Sequence, residues 1–157
     1  MRTRGFEIIS DAQREKDFEG VYNIIKMPKR STKESAGYDI FAPYDIHLAP
    51  GANMKVPTGL RAYMQPGEML LAFPRSGLGF KYFTRLANTI GVIDSDYYYS
   101  DNEGHIAIKI RNEGDEELFI KQGDAFCQMI FIPFLLVDGD GFNEGLDRNG
   151  GFGSTTT

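Results

Sequence analysis

Between His105 and Arg111 apolar and polar positions alternate without a break: Ile106, Ile108 and Ile110 fall on one side of an extended chain, His105, Ala107, Lys109 and Arg111 on the other. A period of two marks a strand that buries one face, here the isoleucine face, and leaves the other to solvent. Similar short runs rich in β-branched and aromatic residues span Gly5 to Ile9, Tyr38 to Ala42, Asp45 to Leu48, Asn53 to Pro57, Leu60 to Met64, Met69 to Phe73, Glu117 to Ile120 and Asp124 to Pro133. Between them stand Pro50-Gly51, Pro66-Gly67, Asn112-Glu-Gly114 and Gln122-Gly123, the turn chemistry that short antiparallel strands require. The pattern predicts an all-β domain, a sandwich of short antiparallel strands with at most one or two short helices.

One segment breaks the rhythm. Ser10-Asp-Ala-Gln-Arg-Glu-Lys-Asp-Phe18 is charged, lacks β-branched residues and opens on a serine suited to cap a helix, so a short surface helix is expected within 10–23. Lys26, Lys29, Arg30 and Lys33 cluster around Pro28 and read as a solvated loop. The last residues, Asn143 to Thr157, offer little to a core. The expected organisation is therefore one β domain over residues 1–142, carrying a charged extension at 10–23, and a flexible C-terminal arm over 143–157 that is either disordered or ordered by a ligand or neighbour.

Composition narrows the function. A chain of 157 residues is one domain's worth, and its formal charge of −5 argues against a protein that grips nucleic acid through phosphates. Cys127 is the sole cysteine, which excludes an intrachain disulfide and reads as a small hydrophobe in a strand. The longest apolar run, Met129 to Val137, contains Pro133 and is too short to span a bilayer, and Met1-Arg-Thr-Arg4 leads into no signal core. A cytoplasmic protein without membrane or nucleic-acid partners is expected.

The candidate chemistry lies in three segments. Asn88-Thr-Ile-Gly-Val-Ile-Asp-Ser-Asp-Tyr97 places an amide, two carboxylates and a phenol on what reads as a short apolar hairpin, with Asp96 read as structural. Pro74-Arg-Ser-Gly-Leu-Gly-Phe-Lys81 and Gly150-Gly-Phe-Gly-Ser-Thr155 are glycine-rich and carry hydroxyls, a combination suited to phosphate oxygens. Together they suggest a nucleotide.

Taken in order, Ser35-Ala-Gly-Tyr-Asp-Ile40, Pro74-Arg-Ser-Gly-Leu-Gly79, Gly91-Val-Ile-Asp-Ser-Asp-Tyr97, Gly123-Asp-Ala-Phe-Cys-Gln128 and Gly150-Gly-Phe-Gly-Ser-Thr155 resemble the motif set of the trimeric deoxyuridine triphosphatases, the dUTPase family, from Phe6 to the C-terminus. The resemblance implies a jelly-roll subunit in a homotrimer with active sites at subunit interfaces, hydrolysing dUTP to dUMP and pyrophosphate with Mg²⁺. It assigns Asp94 as the general base that activates water, and Asn88 with the backbone of Val92 and Ile93 as the reader of the uracil edge. Tyr97 would pack beneath the deoxyribose and leave no room for a 2′-hydroxyl. Arg75, Ser76, Gly77 and Gln128 would hold the phosphates, and Asp39 a metal-bound water. From the C-terminal arm, Phe152 would stack on uracil while Arg148, Ser154 and Thr155 reach the outer phosphates.

The chain also departs from the family pattern. Arg148 stands four residues before Phe152, closer than is usual. Tyr98-Tyr-Ser-Asp-Asn-Glu103 intervenes where an arginine and glycine commonly follow the tyrosine, and Ala125 replaces a common basic residue. The dCTP deaminases are similar around Gly104 to Asn112, but they place an essential glutamate where this chain has Lys109, which removes the proton shuttle that deamination needs. A calcium loop at Asp94 to Asp101 is disfavoured because Tyr98 and Tyr99 occupy the positions of an oxygen ligand and the turn glycine. A dUTP-responsive, partner-binding trimer on the same scaffold is the remaining alternative.

Overall fold

The computed structural model describes residues 2–140. The isoleucine-faced strand forms as its alternation requires: β10, Ala107–Asn112, buries Ile108 and Ile110 and exposes Lys109 and Arg111. It lies between β5, Asn53–Pro57, and β8, Thr84–Leu86, antiparallel to both. The larger sheet has five strands in the order β2, Lys29–Arg30; β3, Tyr38–Phe41; β12, Ala125–Pro133; β7, Glu68–Pro74; and β9, Gly91–Asp94. Two further antiparallel pairs complete the framework: β1, Gly5–Ile8, with β6, Leu60–Tyr63, and β4, Ile46–Leu48, with β11, Leu118–Ile120.

All four sheets contribute to one core. Ile40, Ile46, Val56, Leu60, Leu70, Ile110, Leu118, Phe126 and Met129 are almost fully buried, and Cys127 lies among them with its thiol pushed up by burial, as expected of an inert hydrophobe. Asn112 is a buried polar group with its bonds made: its amide donates to the carbonyls of Leu48 and Glu116 and its oxygen accepts from Gly114. It thereby fastens the end of β10 to β4. The β-rich framework with two short helices agrees with the all-β domain that the turn rhythm predicts and with the jelly-roll-like subunit that the family resemblance implies. Among the described residues no helix is long and apolar enough to cross a membrane.

The expected helix in the charged extension is α1, Asp11–Phe18, and the Ser10 hydroxyl accepts from the Gln13 N–H as its cap. Its last turn lands on a residue that alternation had placed at the surface. His105 is only 3% exposed: its ring stacks against Phe18, Nε2 accepts from the Gly59 N–H at 2.9 Å, and Nδ1 meets the Asp17 carboxylate. The Gly59 donation fixes the tautomer, because Nε2 must carry a lone pair and Nδ1 therefore carries the proton given to Asp17.

Three other readings are corrected. Ser76–Tyr82, read as an open glycine-rich loop, is a helix, α2, anchored by Leu78 and Tyr82 on the core and ended by Phe83 in the left-handed region with φ 51°. Asn88 to Tyr97 is not a hairpin of mutually paired strands: Thr84–Leu86 pairs with β10 and Gly91–Asp94 with β7, so the intervening turn crosses between sheets. Asp96 lies in a 3₁₀ helix, Ser95–Tyr99, rather than on a strand.

Burial holds the His105 imidazole below its ordinary value of 6.5, with Lys55 acting in the same direction and Asp17 and Glu103 opposing. Burial pushes the Asp17 carboxyl up, but hydrogen bonds from Gln13 and His105 outweigh this and hold it below its usual range. A depressed histidine contributes stability that is complete above its unfolded pKa and is lost as pH falls through the folded one. Thermal melts are expected to show a first decline below pH 6.5 from His105, with a second at more acid pH from Asp17, Glu7 and Glu103, whose carboxyls are also held low. In His105→Gln the first decline should vanish and the second remain; an unchanged profile would contradict the assignment.

Candidate active site

The strand register gathers one set of polar groups at one end of the five-stranded sheet. On β12, Gln128 faces Asp39 of β3 on one side and Phe73 of β7 on the other. The chain leaves β7 through Pro74 into Arg75, whose Nε lies 3.1 Å from Asp39 Oδ1. The Ser31 hydroxyl donates to the other oxygen of that carboxylate. Gln128 donates to the Pro74 carbonyl at 3.1 Å, and a Cβ on Gly37 would come within 2.4 Å of the Gln128 side-chain oxygen, so glycine there leaves room for the amide. Ser76 and Gly77 open α2 beside them and are exposed. Their N–H groups belong to the first turn, where no intrahelical acceptor exists. A guanidinium, an amide, a hydroxyl and first-turn N–H groups in one place are groups whose chemistry suits phosphate oxygens.

A second set lies on β9. Val92 is 58% exposed and Ile93 packs toward the core, so the strand alternation turns Asp94 to the same side as Val92. Asn88 precedes this strand across a tight turn in which the Ile90 N–H donates to the Asn88 carbonyl and Thr89 takes φ 68°. A Cβ on Gly91 would meet Ala72 at 3.1 Å and the Asn88 amide nitrogen at 3.9 Å, so the missing side chain lets that amide lie over the start of β9. Among the described residues β9 ends the sheet order, with β7 on one side only. Backbone groups on its outer edge are thus left for a ligand or another chain to satisfy.

Tyr97 follows in the 3₁₀ helix, 7% exposed, its phenol donating to the His105 carbonyl and accepting from Asn102. Tyr98, at the position where the family commonly has arginine, turns away from the Arg75 and Gln128 cluster: it donates to Glu7 at 2.6 Å, and Arg61 lies over its ring. That hydrogen bond is the main reason the Glu7 carboxyl is held low.

The two sets do not meet within one chain. Met69 of β7 faces Asp94, whereas Phe73 faces Gln128 and Gln128 faces Asp39. Four residues along the sheet and three strand spacings across it place the Asp39 and Asp94 Cα atoms roughly 20 Å apart. Arg75 points toward Asp39, which widens the gap. Sequence reasoning assigned Arg75, Ser76, Gly77 and Gln128 to the phosphates and Asp39 to a metal-bound water, and the fold brings these five residues together. Asn88, Val92, Ile93 and Asp94 form the second group, and Tyr97 lies just beyond. Phe152, Arg148, Ser154 and Thr155 lie outside the described residues. Missed were Ser31, Gly37, Asn102 and His105. Only Asn102 had a local signal, since Asn-Glu-Gly is a turn in which an asparagine side chain bonds its own backbone.

Among the described residues no group of three or more histidine, cysteine, aspartate or glutamate side chains is arranged to hold a metal. The Asp39 carboxylate, engaged by Arg75 and Ser31, suits a water of a hydrated ion rather than direct ligation.

The profile of the dUTPase family matches residues 23–156. A deoxyuridine 5′-triphosphate nucleotidohydrolase of Lactococcus lactis is 46% identical over 156 residues, 99% of either chain. One from Desulfitobacterium hafniense is 40% identical over 136 residues, 83% of this chain and 87% of that one. The crystal structure of the dUTPase from Streptococcus mutans superposes with a TM-score of 0.69 at 40% identity, covering 86% of this chain and 99% of that one. A dUTPase from phage phi11 of S. aureus, described as coordinating a structural Mg(II) ion, shares the fold at 21% identity with a TM-score of 0.66, over 87% and 94% of the two chains. With a match across most of its length and relatives this similar, the chain belongs to the dUTPase family.

Proposed function

We propose that the protein hydrolyses dUTP to dUMP and pyrophosphate as a homotrimer, each active site joining the Asp39, Arg75 and Gln128 cluster of one subunit to the Asp94 ribbon of another. The observation that carries this is the separation of the two sets across the sheet. Three linked phosphates cannot span it, so a site that both holds the triphosphate and attacks it needs two chains. The family membership supplies the reaction.

Recognition of the base falls to β9. The outer edge of β9, an edge strand among the described residues, presents fixed N–H and C=O groups, and a uracil edge satisfies them as another strand would, with the Asn88 amide completing the pattern. Cytosine presents the opposite polarity and leaves groups buried unpaired, at about 1–3 kcal/mol each. The Tyr97 ring forms the floor of the sugar site. Asp94 accepts the proton of the attacking water and orients it in line with the α-phosphorus.

Arg75, Ser76, Gly77 and Gln128 take up the charge on the phosphate oxygens. Asp39 fits the outer coordination sphere of Mg²⁺ carried by the triphosphate, and when bound that ion neutralises charge on the pyrophosphate leaving group. Residues 143–157 serve as an arm, with Phe152 over the uracil and Arg148, Ser154 and Thr155 on the β- and γ-phosphates; enclosure excludes water and strengthens the polar contacts.

A pyrophosphate-release assay tests reaction and selectivity together. Turnover with dUTP is expected to exceed by far that with dTTP, dCTP or UTP at the same concentration; equal release from dCTP would remove the β9 account of base choice. Asp94→Asn keeps the size and polarity of the side chain but not its basicity. It is expected to lower kcat by at least about 100-fold while a non-hydrolysable dUTP analogue still binds. Full-speed turnover by that variant would rule out Asp94 as the base.

A further inference from the structure

We infer that Asn102 is a positioning residue for Tyr97, and that through it the two segments this chain adds to the family pattern, 10–23 and 98–103, set discrimination between deoxyribose and ribose nucleotides. The inference rests on the proposed function, in which the Tyr97 ring excludes a 2′-hydroxyl.

Both hydrogen bonds of the Tyr97 phenol are spoken for. It donates to the His105 carbonyl at 2.8 Å and accepts from the Asn102 amide at 2.9 Å. The Asn102 side chain cannot turn over, because its oxygen accepts from the Gly104 N–H at 3.1 Å, which leaves only its NH₂ for the phenol. The loop is bent back hard onto the segment it controls. Glu103 and Gly104 take φ 60° and 70°, and a Cβ on Gly104 would lie 2.7 Å from the Tyr97 carbonyl oxygen and from the Tyr98 Cα. Only glycine permits that approach.

The far side of this loop is held by the charged extension. The Glu103 carboxylate accepts from both the backbone N–H and the hydroxyl of Ser10, the residue that caps α1. At the other end of α1, Asp17 accepts from His105, whose carbonyl is the second phenol partner. Ser10 and Asp17 therefore grip residues 103 and 105, and Asn102 carries the restraint to the ring. A floor that tells hydrogen from hydroxyl at C2′ must stay in place to within a fraction of an ångström, since displacements of about 1 Å have large effects on rate. A phenol held by one bond instead of two has freedom to tilt, and the pocket it bounds admits the larger sugar.

The test compares kcat/KM for dUTP and UTP in the full-length protein and its variants. Asn102→Ala is expected to shrink the preference for dUTP over UTP about tenfold, the size of effect expected for one lost hydrogen bond. The change should lie in a lower KM for UTP more than in kcat for either substrate. Asn102→Asp retains the acceptor for Gly104 and so the turn, but cannot donate to the phenol; the same loss of preference is expected there with thermal stability near wild type. In a Tyr97→Phe background, Asn102→Ala should cost no further preference. An unaltered dUTP:UTP ratio in Asn102→Asp, or parallel losses for both substrates, would overturn the inference and leave Asn102 a structural turn residue. Absence of dUTP hydrolysis by the unmodified protein would instead overturn the proposed function.

Discussion

The register of β7 is the constraint on which the rest of the site depends. One strand pairs on one flank with β12 and on the other with β9, and the paired positions are fixed residue by residue from Met69 opposite Asp94 to Phe73 opposite Gln128. A slip of one residue would turn every side chain of the strand to the other face, carrying buried Leu70 and Ala72 into solvent, so the hydrophobic core enforces the register. The same register holds the Asp39, Arg75 and Gln128 cluster and the Asp94 ribbon at opposite corners of the sheet. A rigid sheet cannot fold those corners together, and assembly is the remaining way to make one site of them.

The edges of the sheet give that assembly its chemistry. Among the described residues β9 is an edge strand and carries the exposed Val92, and under the proposed function a base supplies partners to that edge. Arg75 against Asp39 is an ion pair partly open to solvent, with the two side chains 39% and 13% exposed, and so contributes little to folding. Its value is to hold the guanidinium in place before an anion arrives. Ser10 with Glu103, and Asp17 with the buried His105, likewise restrain the loop behind Tyr97.

Much of the framework was legible in the sequence because the relevant forces are local. The alternation of isoleucines in β10 and the serine cap of α1 each need only a few neighbouring residues to be read. His105 broke its own alternation for a reason no window contains: Gly59 and Asp17, far away in the chain, supply a donor and an acceptor that make burial of the imidazole affordable. α2 was hidden by Gly77 and Gly79, which disfavour helix locally, while Leu78 and Tyr82 win it back by packing on the core. Which sheet receives Thr84–Leu86 and which Gly91–Asp94 is a matter of pairing partners, on which periodicity is silent. The order of five motifs made the family legible in the sequence, whereas Ser31 came into view only with the side-chain hydrogen bonds of the folded chain, and the Asn-Glu-Gly turn at Asn102 showed its bond to Tyr97 only there.

Subunit complementation tests the split site most directly. Asp94→Asn and Arg75→Ala chains, each inactive alone, are to be mixed in equal amounts, unfolded, refolded together and assayed with dUTP. If Asp94 and Arg75 of one active site come from different chains, random assembly leaves about a quarter of the sites with both groups intact, and roughly that fraction of wild-type activity returns. No recovery, from mixed oligomers shown to contain both chains, would mean that a single subunit carries the whole site and would contradict the account.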